Sequence, residues 1–403
     1  MSLSINKFGP GLLFAGAAIG VSHLVQSTRA GADFGFGLIW ALVLSNIFKY
    51  PFFLYGPKYA VATGESLLDG YYKLGKPVLI MYFFLSVITM FTIQTAVTIV
   101  TAGLAIELFG ITPNILIWAI ILILLCLIIL LLGEYKLLDK LMKFVIILLA
   151  ISTFLAVIFA GLKSNNEISL KQMFPVDDLS IAFLVAFMGW MPAPLDISIW
   201  QSIWTLEKRK KEKKLENKEI IFDFNIGYLT TIFLGICFMS LGFFVMYGSG
   251  ETFSSNGGVF ANQLINLYTS SIGQGVFVVI SIAAFTTMFS TTITCLDASP
   301  RTMKKTFELL NLSKLASYKL WIIILSAGTL LIFIFFMSEM GLLVKVATIL
   351  SFITAPFYAI ANYTLINSRF TPKQHRPGKS VNILSILGLI FLICFTVWYL
   401  SIL

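Results

Sequence analysis

Two short stretches of this chain combine residues able to bind a solute with residues that interrupt a helix. The first, residues 16–23, holds Gly16, Gly20, Val21, Ser22 and His23. An imidazole titrating near neutrality, beside a hydroxyl and glycine-exposed backbone, could ligate a cation, carry a proton or donate to a polar solute. A histidine in an apolar stretch is also a common satisfied packing residue. The second stretch, residues 188–196, holds Met188, Gly189, Met191, Pro192, Pro194 and Asp196. Met191 offers a thioether that suits softer metals, and methionine equally fills irregular gaps. Asp196, four residues after Pro192, could supply a carboxylate one turn beyond the break or face a helix N-terminus.

The elements that position these residues follow from composition. Of 403 residues, 58% are hydrophobic and 12% charged, whereas a soluble domain carries about 25% charge. The excess apolar surface has to face lipid. Long unbroken runs such as Ile115–Leu132 predict helices and exclude a membrane β-barrel, whose strands alternate over about ten residues. The expected fold class is an all-α membrane protein with about eleven spans: 11–30, 36–61, 78–108, 112–133, 138–162, 179–205, 222–248, 270–298, 318–337, 340–366 and 381–402. The two solute-binding stretches fall in the middle of spans one and six.

Alternate connectors are rich in lysine and arginine: Lys58, Lys73 and Lys76; Lys136, Lys140 and Lys143; Lys208 to Lys218; Arg301, Lys304, Lys305 and Lys314; Arg369, Lys373, Arg376 and Lys379. The intervening connectors are poor in basic residues and contain Asp177, Asp178, Glu251 and Glu339. The positive-inside rule places the basic set, the amino terminus and Lys7 in the cytoplasm of a cell (inner) membrane, with Leu403 outside. This pattern also accounts for the formal charge of +9 without a nucleic-acid partner. The run 207–219 reads as a solvated cytoplasmic loop or helix extension. No cleavable signal peptide is apparent. The four cysteines lie in apolar runs and suit packing.

Ionisable residues inside a membrane are costly and therefore functional candidates. Lys345 falls in the tenth span, where a fixed ammonium could stand in for a coupling cation. Asp297, near the end of the eighth, is expected to face Arg301 one turn later. Arg29 and Asp33 have the same spacing and predict a pair at the external mouth. His23 and His375 are the only histidines, and neither a His-Glu-x-x-His motif nor an aspartyl-protease context occurs, so no enzyme is expected.

Spans one and six are five apart, the spacing of two five-helix halves related by an inverted repeat whose first helices are discontinuous. The corresponding organisation is one transmembrane domain over 1–403, with repeat one at about 9–162, repeat two at about 179–366 and an extra helix at about 381–402.

The chain resembles the natural resistance-associated macrophage protein (Nramp) family of proton-coupled divalent metal transporters. The resemblance rests on Gly9-Pro10-Gly11, on Ala30-Gly31-Ala32-Asp33-Phe34-Gly35, and on Leu38, Trp40 and Asn46. Phe109-Gly110-Ile111, Met191-Pro192, Ser290 to Thr294 and Pro356-Phe357 continue it. It implies a LeuT-type fold, alternating access, a small-ion cargo and protons as a possible coupling ion, with no cofactor. It also implies cargo contacts at Gly20, Val21, Ser22, His23, Met188, Met191 and Asp196, of which His23, Met191 and Asp196 would be metal donors. Gln94, at a position where the family carries an acidic residue, joins Asp297 and Lys345, the charges within or near the membrane, as the expected coupling network.

The departures from the family are specific. Its Asp-Pro-Gly-Asn metal motif is replaced by Gly20, Val21, Ser22 and His23; its span-six histidines by Ala193 and Ser198; its span-three acidic residues by Gln94 and Val97. The paired arginines of span nine have no counterpart, Lys319 being the nearest cation. A divalent ion needs negative charge to offset dehydration, so the same scaffold carrying a small organic or zwitterionic solute is the alternative expectation.

Overall fold

The computed structural model describes residues 9–132, 135–211, 217–250, 253–254, 257–273, 275, 277–336 and 340–402. Lys7, Glu251, Glu339 and Leu403 lie outside them. Fifteen α-helices are described. Span one is α1 (Pro10–Ala18) and α2 (Thr28–Phe34), joined through a π-helical turn at Ser22–Ser27. Next come α3 (Ile39–Thr63), the short α4 (Leu67–Leu74), α5 (Lys76–Phe109), α6 (Ile115–Leu132) and α7 (Tyr135–Lys163). Span six is α8 (Asp178–Trp190) and α9 (Ile197–Lys211). The remainder are α10 (Asn217–Met246), α11 (Gly257–Ile272), α12 (Phe277–Leu309), α13 (Tyr318–Phe336), α14 (Met340–Asn367) and α15 (Lys379–Ser401).

Seven described helices are long and apolar enough to cross a membrane singly, and the bent α1–α2 pair makes an eighth. The shorter apolar stretches Ile147–Lys163 and Asp178–Trp190 belong to spans five and six. Two elements depart from expectation. The α4 helix occupies the connector after span two, because Ser66 and Asp69 form a reciprocal capping box that starts a new helix there. Span eight begins at Phe277 and not near 270, since α11 takes up the preceding connector.

Spans one and six are both interrupted, as their sequences predict. The α1–α2 pair bends by 48° at its break. The α8 helix stops at Trp190, and Pro192 removes the N–H that would have bonded the Met188 carbonyl. Small residues bring the broken span against α10: a Cβ on Gly31 would collide with the Met239 carbonyl, and one on Gly242 with that of Thr28. Such close backbone approach is how helices associate where lipid offers no hydrophobic driving force.

Candidate functional site between two broken helices

The two breaks face each other across a small central cavity. It is lined by Gly20, Val21 and Ser22 from the first break, Trp190 and Pro194 from the second, and Val97 and Cys295 from α5 and α12, among others. Its volume is about 20 Å³, room for about one water molecule. On the α2 side, a larger cavity of about 430 Å³ is lined by Gln26, Arg29, Phe183 and Lys345. On the α4 side, one of about 820 Å³ is lined by Asp69, Glu207, Arg301, Lys305 and Tyr318. The central space is therefore constricted between two wider vestibules.

Side chains receive the main-chain groups released at the first break. The Thr291 hydroxyl donates to the Gly16 carbonyl at 3.2 Å, and Ser22 Oγ to the Ala18 carbonyl at 2.6 Å. His23 is fully buried. Its Nε2 lies 2.9 Å from the Thr231 carbonyl on α10, and its Nδ1 lies 2.7 Å from Ser22 Oγ and 3.0 Å from the Ala18 carbonyl. Both ring nitrogens are thus engaged, and the imidazole ties the break to α10.

At the second break, the receiving group is one that the sequence reading passed over. Lys49 of α3 is fully buried, and its Nζ donates to the carbonyls of Met188 and Gly189, each at 2.7 Å, and of Ala193 at 3.5 Å. Three acceptors match the three protons of an ammonium. The signal was available as a single lysine in the middle of an apolar span, the pattern that singled out Lys345. Lys345 itself lines the wider α2-side cavity with Arg29, away from the break.

The remaining candidates are dispersed. Met191 Sδ lies 4.0 Å from the amide nitrogen of Asn46, on the α3 side of the break. Asp196 immediately precedes α9 and is buried close enough to Tyr71, Tyr82, Tyr358 and Cys295 to interact with each electrostatically. Its Oδ1 and the Tyr358 hydroxyl have no hydrogen-bond partner among the described residues. Gln94 donates to Thr98 Oγ1 at 3.2 Å and to the Thr292 carbonyl at 3.3 Å, tying α5 to α12. Asp297 pairs with Arg301 at 2.7 Å, as the spacing predicts, and accepts from the Tyr318 hydroxyl at 2.7 Å. Arg29 and Asp33 pair at 3.9 Å. His23, Met191 and Asp196 therefore engage different partners, and no cluster of three or more His, Cys, Asp or Glu residues able to hold a metal occurs among the described residues.

A bundle whose first and sixth spans break opposite one another has the LeuT-type architecture of secondary transporters. Solved structures share it. The manganese transporter of Eremococcus coleocola, in complex with an aromatic bis-isothiourea substituted compound, superposes with a TM-score of 0.71 at 13% identity, covering 98% of this chain and 87% of that one. A nucleobase-cation-symport-1 family transporter with bromovinylhydantoin bound gives 0.59 at 13% identity, covering 98% and 92%. Residues 11–401 match the family described as natural resistance-associated macrophage protein-like. This chain belongs to the Nramp family. It is also 36% identical over 400 residues to the uncharacterized protein PM0681 of Pasteurella multocida (strain Pm70), covering 98% of this chain and 91% of that one.

Proposed function

We propose that this protein is a secondary-active transporter that moves a metal cation through the membrane by alternating access around the two breaks. The reading is carried by one observation: the carbonyl end of α8, released from the helical ladder at Pro192, lies at the break and already accepts hydrogen bonds from the amino group of Lys49. Such oxygens carry the partial negative charge of a helix C-terminus and favour cations. Family membership supports the metal class, and the Eremococcus coleocola relative of the same fold is a manganese transporter.

In this mechanism the 20 Å³ centre is a closed stage between the two vestibules. Rocking of repeat one (about 9–162) against repeat two (about 179–366) widens it toward either side in turn, while the helix at about 381–402, packed on α3 and α14, does not line it. Gly20, Val21, Ser22 and the Met188 carbonyl contact the cargo. His23 and Met191 enter its coordination only after the bundle rearranges, since their donor atoms now face other partners. Asp196, whose Oδ1 has no hydrogen-bond partner among the described residues, joins them once the rearrangement brings it to the central cavity, which it does not line in this state. Asp196, Gln94, Asp297 and Lys345 are assigned to coupling, with protons as the coupling ion. The amino terminus lies in the cytoplasm and the carboxyl terminus outside the inner membrane.

The test is uptake into proteoliposomes of purified protein, with Mn²⁺, Co²⁺, Cd²⁺ and Zn²⁺ offered under an inward proton gradient. Saturable uptake of at least one metal, lost in Gly20→Leu, is expected, because a Cβ there would already press on Thr291 at 3.0 Å. No metal uptake, together with binding of an organic solute in a thermal-shift screen, would overturn the cargo.

A further inference from the structure

Lys49 is a charged group in a place where charge is expensive. It is fully buried, and among the described residues its ammonium has hydrogen bonds to main-chain carbonyls and no carboxylate partner. Burying an ammonium without an opposite charge is costly unless fixed dipoles replace its hydration. The α8 break supplies those dipoles. Pro192 has no N–H for the Met188 carbonyl, α8 ends before an N–H can reach the Gly189 carbonyl, and Ala193 lies in the irregular segment before α9. Three oxygens thus converge on one point from a segment without other backbone donors for them. This is the chemistry of an alkali-cation site, in which carbonyl dipoles substitute for water.

We propose that the carbonyls of Met188, Gly189 and Ala193 form a monovalent-cation site that Lys49 fills from within the chain, so that its tethered ammonium replaces a dissociable Na⁺ or K⁺. The inference deepens the transport reading, because the Met188 carbonyl is also a cargo contact there. An incoming cation has to displace or share with the ammonium, which sets a charge threshold for entry at the second break. It also makes the resting bundle independent of alkali ions.

The experiment uses full-length protein in detergent, without cargo, and measures thermal unfolding in NaCl, KCl or choline chloride at equal ionic strength. Wild type and Lys49→Arg are expected to unfold at the same temperature in all three salts. Lys49→Ala, which empties the cradle of both bulk and charge, is expected to gain about 2–4 °C in Na⁺ or K⁺ over choline, saturably. Lys49→Met, which fills the cradle with an uncharged chain, is expected to gain nothing. If Lys49→Ala survives poorly, its recovery as monodisperse protein after purification in each salt gives the same comparison, with higher yield expected in Na⁺ or K⁺. Equal behaviour of Lys49→Ala in all three salts, or an equal alkali-ion gain in wild type, would overturn the proposal. These readings need no cargo, so a chain that fails to carry metal in proteoliposomes would leave them standing.

Discussion

Among single residues, the chemistry of the breaks is dominated by side-chain nitrogens within hydrogen-bond distance of carbonyl oxygens. His23 meets the Ala18 and Thr231 carbonyls, and Lys49 meets those of Met188, Gly189 and Ala193. Replacing His23 with alanine removes the tie to α10 and is expected to cost about 1–3 kcal/mol, read as a lowered unfolding temperature. Metal affinity by calorimetry is expected to fall as well, since His23 joins the cargo's coordination once the bundle rearranges. A variant with lowered stability and unchanged metal affinity would remove His23 from the ligand set. A second residue pair lies outside the membrane core, where Lys305 of α12 bonds Asp69 of α4 at 2.8 Å. Burial pushes the Asp69 carboxyl up, but the bonds from Lys305 and Ser66 outweigh it and hold its pKa below the ordinary 3.8. A depressed carboxylate contributes stability that is present above its unfolded pKa and lost as pH falls through the folded one. Lys305→Met should therefore destabilise by about 1 kcal/mol at pH 7. Its deficit against wild type should shrink below about pH 4 in pH-dependent melts. The residues of the breaks were legible in the sequence because glycine and proline announce lost backbone bonds. Their partners were not, since Thr231 lies 208 positions from His23 and Met188 lies 139 from Lys49.

At the level of elements, what matters is how each half-helix is held while remaining free to move. The start of α1 is fastened by a carboxylate from another helix. Asp223 of α10 accepts from the Gly11 N–H at 2.7 Å and from the Gly9 N–H at 3.2 Å, placing negative charge at the positive end of α1. This is an N-cap supplied across the bundle, and it closes the α1 half against α10 on the side of the basic connectors. Charged hydrogen bonds of this kind contribute about 1.5–3 kcal/mol, so Asp223→Asn should populate the detached half-helix roughly tenfold more. The check is maleimide labelling of Ala17→Cys, a cavity-lining position, in a Cys394→Ser background. Labelling several-fold faster with Asp223→Asn is expected, and unchanged labelling would show that Asp223 is not a latch. Sequence periodicity placed the long apolar helices well because their boundaries coincide with glycines and charge, as where Gly110, at φ +63°, closes α5. It missed α4 and α11, whose short amphipathic patterns lie in connectors that hydropathy alone treats as loop. The cross-bundle cap was illegible for the same reason as Lys49: a polar residue near a span end does not declare which distant backbone it will meet.

For the molecule as a whole, the distribution of basic residues decides which way the bundle sits. Lys58, Lys73, Lys304, Lys305, Arg369 and Arg376 belong to the end of the bundle where α1 begins and α14 finishes, whereas the connector between α7 and α8 lies at the opposite end. Of these, Lys304 and Lys305 line the larger, charged vestibule together with Asp69 and Glu207. The opposite vestibule holds Arg29 and Lys345 among apolar residues and, in the proposed orientation, opens to the outside. Lysine and arginine resist translocation during insertion, which supports the proposed cytoplasmic placement of the basic end. Two exposed positions separate the possibilities, Lys171 in the connector before α8 and Arg369 after α14. In the Cys394→Ser background, with the other three cysteines buried, a membrane-impermeant maleimide applied to intact cells should label Lys171→Cys. It should label Arg369→Cys only after permeabilisation. The reverse pattern would invert the bundle, exchange the vestibules and make the Asp223 cap an outer latch; equal labelling of both positions would mean that the chain inserts both ways.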